Sequence, residues 1–489
     1  MHSDSKVKKK LRELIKDLHR GDIKHKDIMI TGVNTNSKYI SSGDLFIAIK
    51  GNNQDGHQYI DEAINNGASA IILNGKALSD LGPTFLNVKN TRRAASIISS
   101  RFYDNPSKDL TIIGITGTNG KTTTAYLLKE CLTSAGFKTA QIGTTGVIAE
   151  GYKQEKTLTT PDAITIQKLL RSLVNDGFSH VIMEVSSHAL DQLRVSEIHF
   201  DAAVFTNLTP EHLDYHKTME NYFKSKSRLF NLLKEKNGKA IINFDDNYGK
   251  KLIYKINCDV SSFSKTGPTK VFFSKIYDYK NKIDVMIKSN TSNYKIESNL
   301  IGEYNLENIL AAVTTLDSLK INKNAIVNGI KNCKKVPGRL ESFLIKTGAK
   351  VIIDYAHTPD AYDNILGTLK NILEEKNNLY LVFGAGGDRD SKKRSKMAAV
   401  AQKYCNKCFI TPDNPRFDNL EKINGDIISG FTNNCYKVYD NREAGINEAV
   451  AISKPGDIIA ILGKGDEEYQ DIRGKLVFHS DKKIIMNMQ

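Results

Sequence analysis

Residues 111–124 read TIIGITGTNGKTTT and run on into AYLLKECL. The β-branched apolar run predicts a buried strand, the glycine-bearing turn after it breaks that strand, and the leucine-rich continuation predicts a helix. Gly117 and Gly120 can take backbone angles closed to other residues, so the N–H groups of Thr118, Asn119 and their neighbours converge on one point at a helix N-terminus. Such a point binds anions, because the helix dipole adds to the exposed donors. Lys121 is placed for the β- and γ-phosphates of a nucleotide and Thr122 for Mg2+, with Thr123 completing the turn. The usual pattern has a glycine five residues before Gly120, where Ile115 stands, so GTNGKTT is a shortened form. A phosphate-binding strand, loop and helix imply an α/β fold.

Further apolar runs support that fold on both sides. TAQIGTTG, HVIMEVSS, AAVFTNLT and KAIINF each end in polar or glycine residues and are separated by helical patterns, which implies a mostly parallel sheet. Upstream, DLFIAIK, SAIILN and TFLNV with the helical YIDEAINNGA describe a smaller α/β unit that closes near DNPSKD at 104–109. Downstream of Pro337 the alternation repeats in KVIIDYAH, LYLVFGAGGDRD, CFITPDNPR and DIIAILGKGDE. Three domains follow: a small α/β domain over 1–107, a central P-loop parallel-sheet domain over 108–336 and a Rossmann-like α/β domain over 337–489. In open α/β sheets ligands bind beyond the carboxyl ends of the strands, and each of these polar clusters lies at such an end.

The 489 residues, 40% hydrophobic and 25% charged, describe an ordinary globular protein. No stretch approaches the roughly 20 apolar residues of a membrane span, and the basic, amphipathic start MHSDSKVKKKLRELIKDLHR lacks the apolar core of a secretory signal. A cytoplasmic monomer is expected, with neither membrane nor nucleic acid as partner. The net charge of +14 comes from lysines spread along the chain without interleaved aromatics, which fits a lysine-rich style and anionic substrates better than a nucleic-acid surface. Cys405 and Cys408 form a CxxC with no second pair at metal spacing, so structural thiols are expected.

Two constellations point to chemistry. Glu184 ends the strand HVIMEVSS, where a carboxylate serves either as a Mg2+ ligand beside a P-loop or as a buried cap. His212, Asp214 and His216 precede Lys224 and Lys226, and HxDxH fits either a metal site or a solvated loop.

Taken together, GTNGKTT (117–123), MEVSSHAL (183–190), NLTPEHLDYH (207–216), YFKSKSRLF (222–230), VPGRLE (336–341), DYAHTPDA (354–361), GDRD (387–390), DNPR (413–416) and GKGDEEYQ (463–470) closely resemble the Mur ligase family over essentially the whole chain. The N-terminal NSKYISSGDLFIAIKGNNQDGHQYI resembles that family's uridine-nucleotide domain, with NSK at 36–38 in place of the usual DSR. The resemblance implies an ATP-dependent, Mg2+-requiring amide ligase of peptidoglycan precursor synthesis. Its reaction phosphorylates a carboxylate, and an incoming amine then attacks the acyl phosphate. DNPR points to the members that add meso-diaminopimelate to UDP-N-acetylmuramoyl-L-alanyl-D-glutamate. Lysine-adding ligases and folylpolyglutamate synthases are the rivals within the class, and a basic P-loop ATPase acting on nucleic acid is the rival outside it.

By this resemblance Lys121, Glu184, His212 and Lys226 are catalytic. Glu184, His212 and a carbamylated Lys226 hold metal with Thr122, whereas Lys224 is solvated. Gly117, Thr118, Asn119, Gly120, Lys121, Thr122, Thr123, Asn305, Asn308, Arg339 and Asp354 are implied for ATP. Ser37, Thr159, Thr160, Ser186, Gln192 and Arg194 are implied for the uridine-nucleotide peptide. Arg389, Asp413, Asn414, Pro415, Arg416, Gly463 and Glu467 are implied for diaminopimelate, with Arg416 paired to its second carboxylate and Glu467 to its distal ammonium. Lysine is therefore expected to leave Arg416 buried without its partner. Asp466 replaces the histidine of the more common GKGHE.

Overall fold

The computed structural model describes residues 7–18, 25–51, 54–75, 82–154, 158–267, 269–280 and 282–489. Residues 1–6 and 19–24 of the basic amphipathic N-terminal segment lie outside the described residues. The chain divides into two compact units, one made of 1–114, 137–203 and 225–238, the other of 115–136, 204–224 and 239–489.

The first unit holds a four-stranded parallel sheet of Val33–Asn34, Leu45–Ile47, Ala70–Leu73 and Thr84–Asn87. These strands lie in the three expected apolar runs and just before them, and the helix Ile60–Asn65 lies in YIDEAINNGA. Asn90 caps the helix Thr91–Phe102 by accepting from Arg93 N, and Ala94, Ala95, Ile98 and Phe102 of that helix enter a core with Leu45, Ile47 and Ile72. The P-loop strand β1 (Thr111–Thr116) begins in this unit. Next come β2 (Thr139–Gly143) and β3 (His180–Glu184), which pair in parallel, and β4 (Ala202–Phe205). β1, β2, β3 and β4 belong to a ten-stranded sheet.

In the second unit α1 (Lys121–Ser134) follows the P-loop. Lys239–Asn243 and Asp259–Ser264 pair in parallel, and an antiparallel meander of Val271–Asp278, Ile283–Ser289 and Asn293–Ser298 comes next. The meander is an antiparallel extension of a sheet expected to be mostly parallel. It is followed by α2 (Glu303–Ser318), whose residues Leu306, Ile309, Leu310 and Val313 are buried.

A six-stranded sheet completes this unit. Its strands β5 (Lys350–Asp354), β6 (Leu379–Phe383), β7 (Lys407–Ile410) and β8 (Ile458–Leu462) are parallel, with β8 between β5 and β6, and Glu341–Leu344 is an antiparallel edge. Its helices include α3 (Pro359–Ile372), α4 (Lys392–Tyr404), α5 (Arg442–Ile452) and α6 (Asp481–Met486). Ile352, Leu381, Phe383, Ile410 and Leu462 from the strands meet Leu366, Leu369, Met397 and Ala401 from α3 and α4. Cys405 and Cys408 belong to this core, and the hydrogen bond to Cys405 together with burial pushes the Cys408 thiol well above its ordinary value. A thiol held that way packs as a small apolar side chain. Among the described residues no helix is long and apolar enough to cross a membrane.

Candidate active site

The P-loop is built as a cradle in the second unit. Asn119 N donates to Asn207 Oδ1 at 2.8 Å, Thr118 N to Asn207 O at 3.0 Å, and Thr209 N to Thr118 Oγ1 at 3.0 Å. Thr206 Oγ1 donates to Asn119 O at 2.6 Å. The loop is thereby fixed by NLT, the segment that leaves β4. Gly120 sits at φ +86°, and a Cβ there would lie 2.3 Å from Asn308 Oδ1, so no larger residue fits between the loop and α2. Lys121 Nζ donates to Gly117 O at 2.9 Å and Thr118 O at 2.7 Å, which holds the ammonium inside the loop at the start of α1.

Asn305 and Asn308 are buried and largely satisfied by protein. Asn308 Nδ2 donates to Asn305 Oδ1 at 2.9 Å, and Asn305 Nδ2 to Ile301 O at 2.7 Å. Both asparagines thus brace α2 against the P-loop. Asp354, at the end of β5, accepts from Leu340 N at 2.8 Å and Ala356 N at 2.7 Å, and burial raises its carboxyl despite Arg339 nearby. That brace presents Arg339, whose guanidinium lies over the Tyr355 ring at 4.8 Å and donates to Thr122 Oγ1 at 3.3 Å.

Glu211 and His357 form a pair that the sequence reading left without a role. His357 Nε2 is 2.8 Å from Glu211 Oε1, and its Nδ1 is 2.9 Å from Tyr355 O. The Tyr355 carbonyl can only accept, so Nδ1 carries a hydrogen and Nε2 is left facing the Glu211 carboxyl group. Burial alone would raise the Glu211 carboxyl, but His212, His357 and Lys121 together hold it well below its ordinary value. The signal was available, since both residues sit at the carboxyl ends of strands within quoted motifs.

In the first unit six expected residues meet. Glu184 is buried and accepts from Thr144 N and Thr144 Oγ1, each at 3.1 Å, while Thr144 Oγ1 lies 3.2 Å from Thr159 Oγ1. Thr160 Oγ1 donates to Glu184 O at 2.9 Å and accepts from Ser186 N at 3.0 Å. Arg194 Nη1 donates to Thr160 O at 2.8 Å, and its Nη2 to Gln192 Oε1 at 2.7 Å. Ser37 stands apart from this cluster, donating to Glu62 Oε2 at 2.5 Å. Asn36 accepts from Lys38 N at 3.1 Å, so the NSK departure supplies its own cap.

The HxDxH residues do not act as one set. Asp214 is exposed, and His216 is buried with its ring stacked on Tyr222 at 5.0 Å. Among the described residues no group of three or more His, Cys, Asp or Glu side chains is placed to hold a metal ion. The two lysines differ sharply, Lys226 being 2% exposed and Lys224 open to solvent.

The residues expected for the amino acid follow the carboxyl ends of β6, β7 and β8. Asp413 and Asn414 are buried after β7, and Gly463, at φ +113°, follows β8. A Cβ on Gly463 would lie 2.5 Å from Asp413 Oδ2, so the glycine lets the two loops touch. Asn414 Nδ2 donates to Glu467 Oε2 at 3.1 Å. Arg416, following Pro415, sits at φ +50° and donates from Nη1 to Gly387 O at 2.6 Å, and its side chain is 24% exposed. It is therefore neither fully buried nor dependent on a ligand for a partner, which corrects the expectation. Arg389 is exposed and Asp466 half-buried on the same rim.

At the base of these loops lies a residue that sequence reasoning missed. Arg442, the first residue of α5, is buried and makes a bidentate pair with Asp481 of α6, both contacts at 2.8 Å. It also donates to Thr411 Oγ1 at 3.2 Å and Leu462 O at 3.0 Å, at the roots of the Asp413 and Gly463 loops. Burial would raise Asp481, but Arg442 and then His479 hold it well below its ordinary value. Arg442→Met is expected to cost about 3–5 kcal/mol in urea unfolding, because it strands a buried carboxylate. The paired Arg442→Met, Asp481→Asn variant should lose much less. Equal losses in the two variants would contradict the pairing.

Models described as Mur ligase family, catalytic domain; Mur ligase middle domain; and Mur ligase, glutamate ligase domain match residues 29–103, 115–316 and 338–465. The chain belongs to the Mur ligase family. It is 40% identical over 457 residues to a UDP-N-acetylmuramoyl-L-alanyl-D-glutamate--2,6-diaminopimelate ligase of Aquifex aeolicus (strain VF5), covering 93% of each chain. The ligase of that name from Clostridium tetani (strain Massachusetts / E88) is 36% identical over 490 residues, covering 98% of each. A solved structure of such a ligase superposes with a TM-score of 0.69 at 28% identity, covering 98% of both chains.

Proposed function

We propose that this protein is an ATP-dependent amide ligase that joins meso-diaminopimelate to the D-glutamate carboxylate of UDP-N-acetylmuramoyl-L-alanyl-D-glutamate, in the three-domain arrangement 1–107, 108–336 and 337–489. The observation that supports the reading is a guanidinium, Arg416, donating to Gly387 O, and a carboxylate, Glu467, held by Asn414, with Gly387 N donating to Asn414 O at 2.9 Å between them. One group suits a carboxylate and the other an ammonium, the two charges at the distal end of diaminopimelate.

The substrate carboxylate attacks the γ-phosphorus of ATP, and ADP leaves. The amine of diaminopimelate attacks the resulting acyl carbon, phosphate leaves, and the nitrogen gives up a proton. Lys121 offsets charge on the transferring phosphoryl group, and Gly117, Gly120, Thr118, Asn119 and Thr123 present the loop's donors. Arg339 and Asp354 serve the nucleotide. Ser37, Thr159, Thr160, Ser186, Gln192 and Arg194 hold the uridine-nucleotide peptide, Arg194 facing its carboxylates. Thr122 and Glu184 offer the hard oxygens that Mg2+ favours, and with His212 and a carbamylated Lys226 they are our assignment for metal. Mg2+ would supply charge neutralisation between triphosphate and carboxylate. A buried ammonium at Lys226 would repel a cation, and carbamylation converts it to an anionic oxygen donor.

Lys226→Ala is expected to lower phosphate release at least about 100-fold, with partial rescue by added short carboxylic acids, whereas Lys224→Ala should stay within about twofold of the unmodified protein. Full activity of the Lys226 variant would remove it from the metal assignment. Phosphate release with the UDP-muramyl dipeptide, comparing diaminopimelate with lysine, tests the function itself. Efficient addition of lysine would overturn the substrate.

A further inference from the structure

Lys464 follows Gly463 at the end of β8, is wholly buried, and has no part in the roles assigned above. Its ammonium donates to Glu467 Oε2 at 2.9 Å and to Asn414 Oδ1 at 3.2 Å, and lies 5.5 Å from the centre of the Tyr469 ring. A buried ammonium is tolerated only when paired and hydrogen-bonded, so Lys464, Glu467 and Asn414 constrain one another.

The constraint sorts donors from acceptors. Asn414 Oδ1 accepts from both Lys464 Nζ and Asp471 N, the latter at 2.9 Å, which fixes the orientation of its amide. Nδ2 then donates one hydrogen to Glu467 Oε2 at 3.1 Å and retains one N–H. Toward a ligand, Asn414 therefore offers a donor and no acceptor. Glu467 Oε2 already receives two donors, from Asn414 and Lys464, while Oε1 has the Tyr355 hydroxyl at 3.5 Å. The oxygen left for a ligand ammonium is Oε1.

We infer that Lys464 is a positioning residue that never touches the amino acid but fixes how the pocket reads its distal centre: carboxylate toward Arg416 and the Asn414 N–H, ammonium toward Glu467 Oε1. This inference rests on the diaminopimelate reading above. Without the lysine cation, Asn414 Oδ1 keeps only the Asp471 N–H, so its amide is set less firmly, and rotation of that amide would present an acceptor where the ligand carboxylate belongs. Glu467, 15% exposed in its side chain, would at the same time lose its cationic partner. Both changes weaken and blur recognition of the amino acid while leaving the P-loop, in another part of the unit, as it was.

The test uses the full-length protein and its steady-state phosphate release. Lys464→Met is expected to raise the KM for meso-diaminopimelate about 10- to 100-fold, the range expected for losing a charge-assisted bond, with the KM for ATP within about twofold. Its preference for the meso isomer over the LL and DD isomers should fall by a similar factor. Lys464→Gln keeps a donor toward Glu467 and Asn414 without the charge, and should recover at least half of the lost preference on a logarithmic scale. An unchanged diaminopimelate KM in Lys464→Met, or equal rises for all substrates with a lowered Tm, would overturn the positioning role. If Lys464→Met does not fold, Lys464→Gln decides alone: a three- to tenfold higher diaminopimelate KM with unchanged ATP KM supports it, and unchanged constants overturn it. Failure of the unmodified protein to use diaminopimelate would instead defeat the underlying functional reading, and that result is visible before any variant is made.

Discussion

Lys121→Ala should abolish measurable ligation, lowering phosphate release by roughly a hundredfold to a thousandfold, the loss expected when one preorganised charge is taken from a transition state. The cation now rests on the carbonyls of Gly117 and Thr118, inside the loop that Asn207, Thr206 and Thr209 hold in shape. Because the loop's scaffold does not depend on the lysine side chain, the variant should fold with unchanged Tm. Binding of the UDP-muramyl dipeptide, measured by calorimetry without ATP, should stay within about twofold, since Thr160, Ser186, Gln192 and Arg194 are tied to one another. Loss of both phosphate release and dipeptide binding in a folded variant would show that the two functions are not separable.

Arg416→Ala is the second large effect. It should raise the KM for diaminopimelate about a hundredfold to a thousandfold, equivalent to losing one bidentate, charge-assisted pair, while the KM for ATP stays unchanged. Sites built around a fully buried polar group can discriminate by roughly 10^4 or more. Arg416 has 24% of its side chain exposed and a protein acceptor in Gly387 O, so lysine would leave it hydrated and partnered, which lowers the expected factor. Competition between diaminopimelate and lysine at equal concentration measures it directly. A variant that retains full preference for diaminopimelate would move recognition of the second carboxylate elsewhere, with Arg389 the first alternative.

Much of the fold was legible because its signals are local. TIIGITGTNGKTTT carries strand, turn and helix start in fourteen consecutive residues, and KVIID, LYLVF, CFI and IIAIL are continuous apolar runs of the kind parallel strands show when buried on both faces. The antiparallel meander escaped notice although Ile283–Ser289 alternates buried with less buried residues, because its lysines and tyrosines disguise a period of two. Site residues fixed by long-range pairing were harder. Nothing near Glu211 in sequence announces His357, 146 residues away, and Arg442 stands 39 residues from Asp481. Motifs locate chemistry at strand ends, whereas the partners that orient it come from closure of the chain. The HxDxH spacing left a metal site and a solvated loop both open, and the structure separates its members, with His216 buried and stacked on Tyr222 and Asp214 exposed.

The guanidinium of Arg442 has a mechanical consequence. It grips Thr411 and the carbonyl of Leu462 with one rigid planar group, and Asp481 locks that group from behind. Neither loop can drift independently without breaking a charged contact in a place water does not reach. The two walls carrying Asn414 and Glu467 therefore move as one casting, their spacing set by the fold itself.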